Sequence, residues 1–407
     1  MQDLTTGSVS GHLLRTTSFM LVTMVFQTLY FLVDLYWVGH LGKEAVAAVG
    51  ISGNLMFIVL AVTQMLAVGT TTLVSHAAGR KDHDRALLVF NQSQVLSMLA
   101  GAVFLVLVMA LRPIYARGLS ADARTAALAS DYLLWFIPAS ALQFGMVAMG
   151  AALATFVAVA VGTVWLLLYF QPKDAYLKFM VADWKPRLDL WATMLKIGMP
   201  AGAEFALMAV YLVVVYTIIR PFGSAAQAGF GIGLRIIQAM FMPVVALGFA
   251  VAPVAGQNFG ARQPHRVRDT FKSAVVLAAV GMGVLALLCH IAPAALIRVF
   301  SRDPQVVAVG DEYLRIVSWN FVASGIVFVG SSMFQAIGNT VPSLMSSFVR
   351  IVVVAMPAFL LSRLPGFELR WIWYLSVVAV TLQMLMSLLL LQRELKLRLE
   401  FEPVPAG

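Results

Sequence analysis

Only two of the nineteen acidic residues, Asp34 and Glu204, lie well inside apolar runs. A carboxylate facing hydrocarbon is costly, so it needs a partner, a cavity or a job. Apolar surroundings penalise the charged form of any carboxylate, which lets such a group exchange a proton near neutral pH. With neighbouring oxygens it can also ligate Na⁺. Asp34 is therefore the first candidate for binding a coupling ion, H⁺ or Na⁺. The bland alternative is a carboxylate near the outer end of a helix that reaches water. Glu204 follows Pro200 by four residues and offers cation recognition or a second protonation site. Its alternative is an interfacial pair with Lys196. Arg235 and Arg350 are basic residues inside apolar runs; intramembrane arginines are usually paired, so both read as structural buried charges. Asn54, Gln64, Gln143, Gln238 and Asn320 are candidate substrate-cavity groups. Each has a commoner use as a hydrogen bond between helices.

The sequence offers little other chemistry. The single cysteine, Cys289, excludes a disulfide within the chain and a thiolate metal site. The six histidines form no H-E-x-x-H pair, no G-x-S-x-G is present and no two carboxylates are paired for catalysis. These absences predict no catalytic residues, no cofactor and no enzyme. Hydrophobic residues make up 61% of the 407 and charged residues 12%, and the mean hydropathy is +0.88. A soluble fold of this size needs more polar surface, so the composition predicts an integral membrane protein whose partner is the lipid bilayer. In that setting the net charge of +9 reads as basic cytoplasmic loops beside anionic lipid, with no nucleic-acid partner.

A helix needs about 20 apolar residues to cross the bilayer core. Candidate spans lie near 16–39, 45–75, 87–111, 130–151, 152–170, 195–219, 227–256, 270–292, 312–335, 342–363 and 371–392. The first run is too long for the apolar core of a signal peptide. Trp371, Trp373 and Tyr374 suggest an interfacial aromatic belt. The chain also repeats itself. A shift of 181 residues lays Gly42, Ala45, Ala47, Gly50 and Ile51 on Gly223, Ala226, Ala228, Gly231 and Ile232. The same register lays Gly79, Lys81 and Arg85 on Gly260, Arg262 and Arg266, and Asp122 and Tyr132 on Asp303 and Tyr313. This predicts an all-α polytopic membrane protein of two tandem helical lobes, 1–170 and 197–407, joined by a basic cytoplasmic loop, 171–196. The positive-inside rule puts both basic corners, at 79–85 and 260–266, in the cytoplasm.

The motifs now support a resemblance. Phe31-Leu32-Val33-Asp34-Leu35-Tyr36-Trp37-Val38-Gly39-His40-Leu41-Gly42 resembles the V-D-x-x-x-V-G-x-L-G signature of the multidrug and toxic compound extrusion (MATE) transporters, of the NorM/DinF-like bacterial kind. Gly231-Ile232-Gly233-Leu234-Arg235, Met242-Pro243 and Pro253-Val254-Ala255-Gly256-Gln257-Asn258-Phe259-Gly260-Ala261 are similar to its G-I-x-x-R, M-P and P-x-x-G-Q-N-x-G-A stretches. Met333 to Thr340, MFQAIGNT, looks like its x-x-Q-A-x-G-N-T turn. The resemblance implies two six-helix lobes, alternating access, and a multi-pass protein of the bacterial inner membrane. It implies export of small amphipathic, often cationic compounds by H⁺ or Na⁺ antiport, with Asp34 at the position of the first-helix aspartate. The family would complete that site from the fourth, fifth and sixth helices, where this chain offers Ser140, Gln143, Thr155 and Thr163.

One departure stands out. Gly150-Ala151-Ala152-Leu153-Ala154-Thr155 runs from one span into the next without a polar loop. The shortfall against the second half is roughly 40 residues, one span and its loops. The fifth family helix is thus expected to be missing, which leaves eleven spans if 130–170 is a helix pair. Three crossings between the basic loops at 79–85 and 171–196 cannot return the chain to one side, so the alternative is that 130–170 is one long, broken or re-entrant segment. Two other readings follow: an inactive or structural remnant of such a transporter, and a lipid-linked sugar flippase of the wider superfamily. The topology is open to a direct check. In a Cys289→Ser background, Lys173→Cys and Arg262→Cys are each expected to react with an impermeant thiol reagent from the cytoplasmic face. Labelling from opposite faces would mean an odd number of crossings between them.

Overall fold

In a bilayer no water is available for backbone N–H and C=O groups, so a spanning chain closes its hydrogen bonds within helices. The computed structural model describes residues 3–39, 43–119 and 180–400, and positions 126, 127, 129–131, 133, 134, 136–138 and 141. The named helices are α1 Val9–Gly39, α2 Lys43–Gly79, α3 His83–Leu119, α4 Leu188–Ile219, α5 Ser224–Gly260, α6 Pro264–Ile291, α7 Pro293–Arg298, α8 Pro304–Val317, α9 Asn320–Ala336, α10 Val341–Leu361 and α11 Leu369–Arg398. The described positions between 126 and 141 are helical too, and no strand occurs among the described residues. The chain is an all-α polytopic membrane protein. Eight described helices are long and apolar enough to cross a membrane.

Eight of the expected spans correspond to α1–α6, α10 and α11. The span expected at 312–335 falls on α8 and α9, which together are apolar and long enough for a ninth span but meet at a 56° bend that was not foreseen. The bend falls at Ser318-Trp319, where Ser318 is buried and Trp319 exposed. The expected spans at 130–151 and 152–170, and with them the missing fifth helix, lie largely outside the described residues. Trp373 is also corrected. It is only 1% exposed and stacks on Phe230 with ring centroids 5.6 Å apart. It is a core residue, while Trp371 and Tyr374 on the same helix are exposed.

The repeat is visible in the backbone at the two basic corners. At the end of α2 the amides of Arg80, Lys81 and Asp82 donate to the carbonyls of His76, Ala78 and Ala77. At the end of α5 the amides of Ala261, Arg262 and Gln263 donate to Gln257, Phe259 and Asn258, the same pattern displaced by 181 residues. Lys81 (φ 59°) and Arg262 (φ 55°) are the two non-glycine residues in the left-handed region among those described. This conformation satisfies the last helical carbonyls. It costs a residue with a Cβ roughly 1–2 kcal/mol.

Two compact units emerge. One is built from Val25–Ala206; the other joins Leu4–Met24 to the chain from Leu207 onward. The first half of α1 therefore belongs with the later helices, and the first half of α4 with the earlier ones. In the first unit, Leu190, Trp191 and Met194 of α4 share a core with Leu66 of α2 and Phe90 of α3. The contact depends on glycine. A Cβ on Gly198 of α4 would collide with the backbone of Met65, and one on Gly69 of α2 with that of Met194. Gly198 and Gly202 form a small-xxx-small pair, which lets helix backbones approach closely. In the second unit α9 packs against α5, α6 and α11, and α8 joins α5 and α11 through a ring cluster of Tyr313, Phe230 and Trp373. Gly198→Val should destabilise the first unit by about 1–3 kcal/mol through overpacking. Thermal unfolding in detergent should show a lowered midpoint. Gly281→Ala, whose Cβ meets nothing within 4 Å, should not lower it.

Candidate functional site

The α11 sequence places Trp373, Ser376, Val380, Gln383 and Ser387 at helical spacing on one buried face. Aromatic and aliphatic positions there fill the core, and the polar ones meet polar groups from three neighbours. Asn320, at the start of α9, donates through Nδ2 to Ser376 Oγ at 3.3 Å. The Tyr211 hydroxyl of α4 lies 3.4 Å from the same oxygen. The Arg350 guanidinium of α10 sits over the Tyr211 ring, 5.6 Å from its centroid. Two turns further along α11, Gln383 Nε2 donates to Ser347 Oγ at 3.1 Å. Ser343 Oγ donates to Ser331 Oγ at 2.8 Å.

This seam is polar inside an apolar unit, and it is not saturated. Asn320 Oδ1, Gln383 Oε1 and Trp373 Nε1 are enclosed without a hydrogen-bond partner among the described residues. Asn320 is 4% exposed and Gln383 2%. A buried carbonyl oxygen left unsatisfied costs about 1–3 kcal/mol. A neutral carbonyl oxygen of this kind is chemically suited to accept a hydrogen bond or to ligate a hard cation. Among the described residues no three His, Cys, Asp or Glu side chains are grouped to hold a metal ion.

The sequence candidates divide. Asn320 and Arg350 come together on the Tyr211–Ser376 pair. Glu204 is half-buried on α4, seven residues before Tyr211, and Gln64 and Gln238 are half-buried on α2 and α5. Gln64 and Glu204 lie in the other unit. Arg235 is corrected. It is exposed on α5, in a stripe with Ala228, Ala239 and Pro243, and is not a buried charge. Asp34 and Asn54 lie on α1 and α2, but their side chains fall outside the described residues, as does Gln143 altogether. Sequence reasoning missed Tyr211, Ser376 and Gln383. It also missed Arg112, whose Nε and Nη1 are enclosed without a partner among the described residues. The apolar run stops at 111, but α3 continues through Pro113 to Leu119. The 3.6-residue spacing of Ser376 and Gln383 with the buried apolar positions of α11 was the available signal.

Comparison with known proteins agrees along nearly the whole chain. The family model described as MatE matches residues 20–170 and again 200–360. The multidrug export protein MepA of Staphylococcus haemolyticus is 24% identical over 388 residues, 85% of this chain and 86% of its own. The probable multidrug resistance protein YoeA of Bacillus subtilis is 24% identical, over 89% of each chain. Among solved structures, an outward-facing multidrug resistance MATE family transporter of the MOP superfamily superposes with a TM-score of 0.88 at 20% identity, over 97% of this chain and 98% of that one. A MOP superfamily transporter from Pyrococcus furiosus gives 0.89 at 20% identity, over 98% of each chain. These likenesses show the fold.

Replacing Asn320 with leucine removes one hydrogen bond, worth about 1 kcal/mol, and also an unsatisfied buried carbonyl of similar or larger cost. Asn320→Leu is therefore expected to keep the thermal midpoint in detergent near that of the parent. If the seam receives ligand, the same substitution should weaken ethidium binding several-fold in a fluorescence titration. Unchanged binding would leave Asn320 a packing residue.

Proposed function

The chain belongs to the MatE family, and from that premise we propose that it is a secondary active transporter exporting small amphipathic, often cationic compounds across the bacterial inner membrane. Entry of H⁺ or Na⁺ would drive export by antiport, with the two halves exposing a binding region to either side in turn. The observation that supports this most is the family match itself, which occurs twice and falls once in each half of the 181-residue repeat. The relatives named as multidrug exporters point the same way. A family of transporters also fits a chain whose sequence carries no catalytic motif.

Asp34 is the residue we assign to the coupling ion. It is an acid in the interior of an apolar helix, α1, where the default expectation for an ionisable group is function. Binding the ion there would favour one state of the transporter over the other, because only a difference in affinity between states shifts their populations. A lipid-linked sugar flippase would need a basic cavity for a pyrophosphate. The seam brings in one guanidinium, Arg350, and packs it on a tyrosine ring, which favours the exporter.

Purified protein in proteoliposomes, under an imposed proton or Na⁺ gradient, should accumulate or expel ethidium with one of the two. Asp34→Asn should reduce gradient-dependent flux at least tenfold while the protein stays folded. Undiminished flux would remove Asp34 from the mechanism. No flux with either gradient, in the parent protein, would favour the inactive remnant.

A further inference from the structure

The peptides that lead into α1 and α4 are both gripped by side chains, and in a reciprocal manner. The peptide before α1 is held at the α5–α6 corner. The Leu4 amide donates to Gln257 Oε1 at 3.0 Å, and Asn258 Nδ2 donates to the Leu4 carbonyl at 3.2 Å. Arg266 closes over them. Its Nη1 donates to the Gly7 carbonyl at 2.9 Å. Its Nη2 donates to the Leu4 and Thr6 carbonyls at 3.2 and 3.3 Å. Its Nε donates to Asn258 Oδ1 at 2.7 Å. Leu4 and Thr5 are buried beneath this grip. At the second residue of α1, Ser10 Oγ donates to Ser273 Oγ of α6 at 3.2 Å.

The peptide before α4 is held on α3. The Met180 amide donates to Asn91 Oδ1 at 2.8 Å, and Trp184 Nε1 donates to the same oxygen at 3.2 Å. Gln92 Nε2 donates to the carbonyls of Asp183 and Lys185, and Gln92 Oε1 accepts from the Arg187 amide at 2.9 Å. By the 181-residue register, residues 4–8 correspond to 185–189, so the two peptides are nearly equivalent. Each is held by helices of the half it does not lead. The units agree: α1 stays with the later helices up to Met24 and α4 with the earlier ones up to Ala206.

Nearly all partners on the peptides are backbone groups, so the grips recognise an extended conformation and not a side-chain sequence. Hydrogen bonds from a guanidinium or an amide fork have strict geometry. A grip of this kind either holds or lets go. Resting on the exporter reading above, we propose that these are two reciprocal clasps that work as a switch. While they hold, the leading halves of α1 and α4 stay fixed to the opposite half on the side of the basic corners. Exposure of the binding region to that side requires them to release in each cycle.

The test uses the full-length protein in a Cys289→Ser background. Ser10→Cys with Ser273→Cys places two thiols where two hydroxyls now meet, so oxidation fixes the first clasp shut. In proteoliposomes, ethidium flux under the driving gradient should fall at least tenfold on oxidation and return with dithiothreitol. Full flux with the cross-link confirmed by peptide mass would overturn the proposal. If the reduced pair and its parent both fail to move ethidium, the exporter reading fails, and the clasp is then judged by exposure alone. A Thr5→Cys thiol, buried while the clasp holds, should react slowly with an impermeant maleimide and at least tenfold faster when Arg266→Ala is added. A thiol that never reacts with Arg266 in place, or whose rate Arg266→Ala leaves unmoved, would overturn the clasp as a moving part.

Discussion

Every polar group carried into hydrocarbon must find its partner inside the protein, because no water is there to supply one. That constraint makes the described chain helical, and it also explains where the polar side chains sit. They gather where helices end or where helices meet. The corner at 79–82 and its copy at 260–263 satisfy carbonyls that α2 and α5 would otherwise leave open. The seam along α11 satisfies serines of α9 and α10 against one another. The few atoms left over, Asn320 Oδ1 and Gln383 Oε1 among them, gain their interest from the rarity of such exceptions.

Apolar attraction between helices is weak in lipid, so close packing must hold each unit together. Glycine makes that packing possible at particular points. Along α5, Gly233 receives the Tyr313 ring and Gly248 the Phe328 ring, contacts that a Cβ would block. Along α2 and α4, Gly69 and Gly198 let two backbones touch. Interfaces of this density do not deform gradually. A transporter built from them changes state by moving packed bodies, so any freedom must lie in the segments shared between bodies. The leading halves of α1 and α4 are such segments, since each begins in one unit and continues into the other.

Much of this was legible in the sequence because its causes are local. Hydropathy marks helices that face lipid, and the 181-residue register marked two corners whose hydrogen bonds now superimpose. The misreadings also have physical causes. The bend between α8 and α9 falls in Arg315-Ile316-Val317-Ser318-Trp319-Asn320, where no proline or glycine announces it. Arg235 looked buried because its neighbours are apolar, but α5 has one uncovered stripe and Arg235 lies in it. Trp373 looked interfacial beside Trp371 and Tyr374, though helical spacing turns it to the core with Ile372 and Ser376. The partners of Leu4, 253 and 254 residues away, leave no mark in any local window.

The repeat preserves a frame without preserving the chemistry placed on it. Arg85 and Arg266 occupy equivalent positions, the third residue of the third helix of each half. The Arg266 side chain closes over the α1 peptide with three hydrogen bonds and braces itself on Asn258 with a fourth. Arg85 instead lines a cleft of about 440 Å³ with Asp82, Asp84, Asp183 and Arg187, and its backbone amide is capped by Asp82 Oδ1 at 3.0 Å. The job of gripping a peptide passes there to Asn91 and Gln92, two neutral amides. One clasp is therefore charge-assisted and the other is not, and hydrogen bonds with an ionised donor are roughly twice as strong as neutral ones. Two halves with the same backbone can thus let go at different free energies.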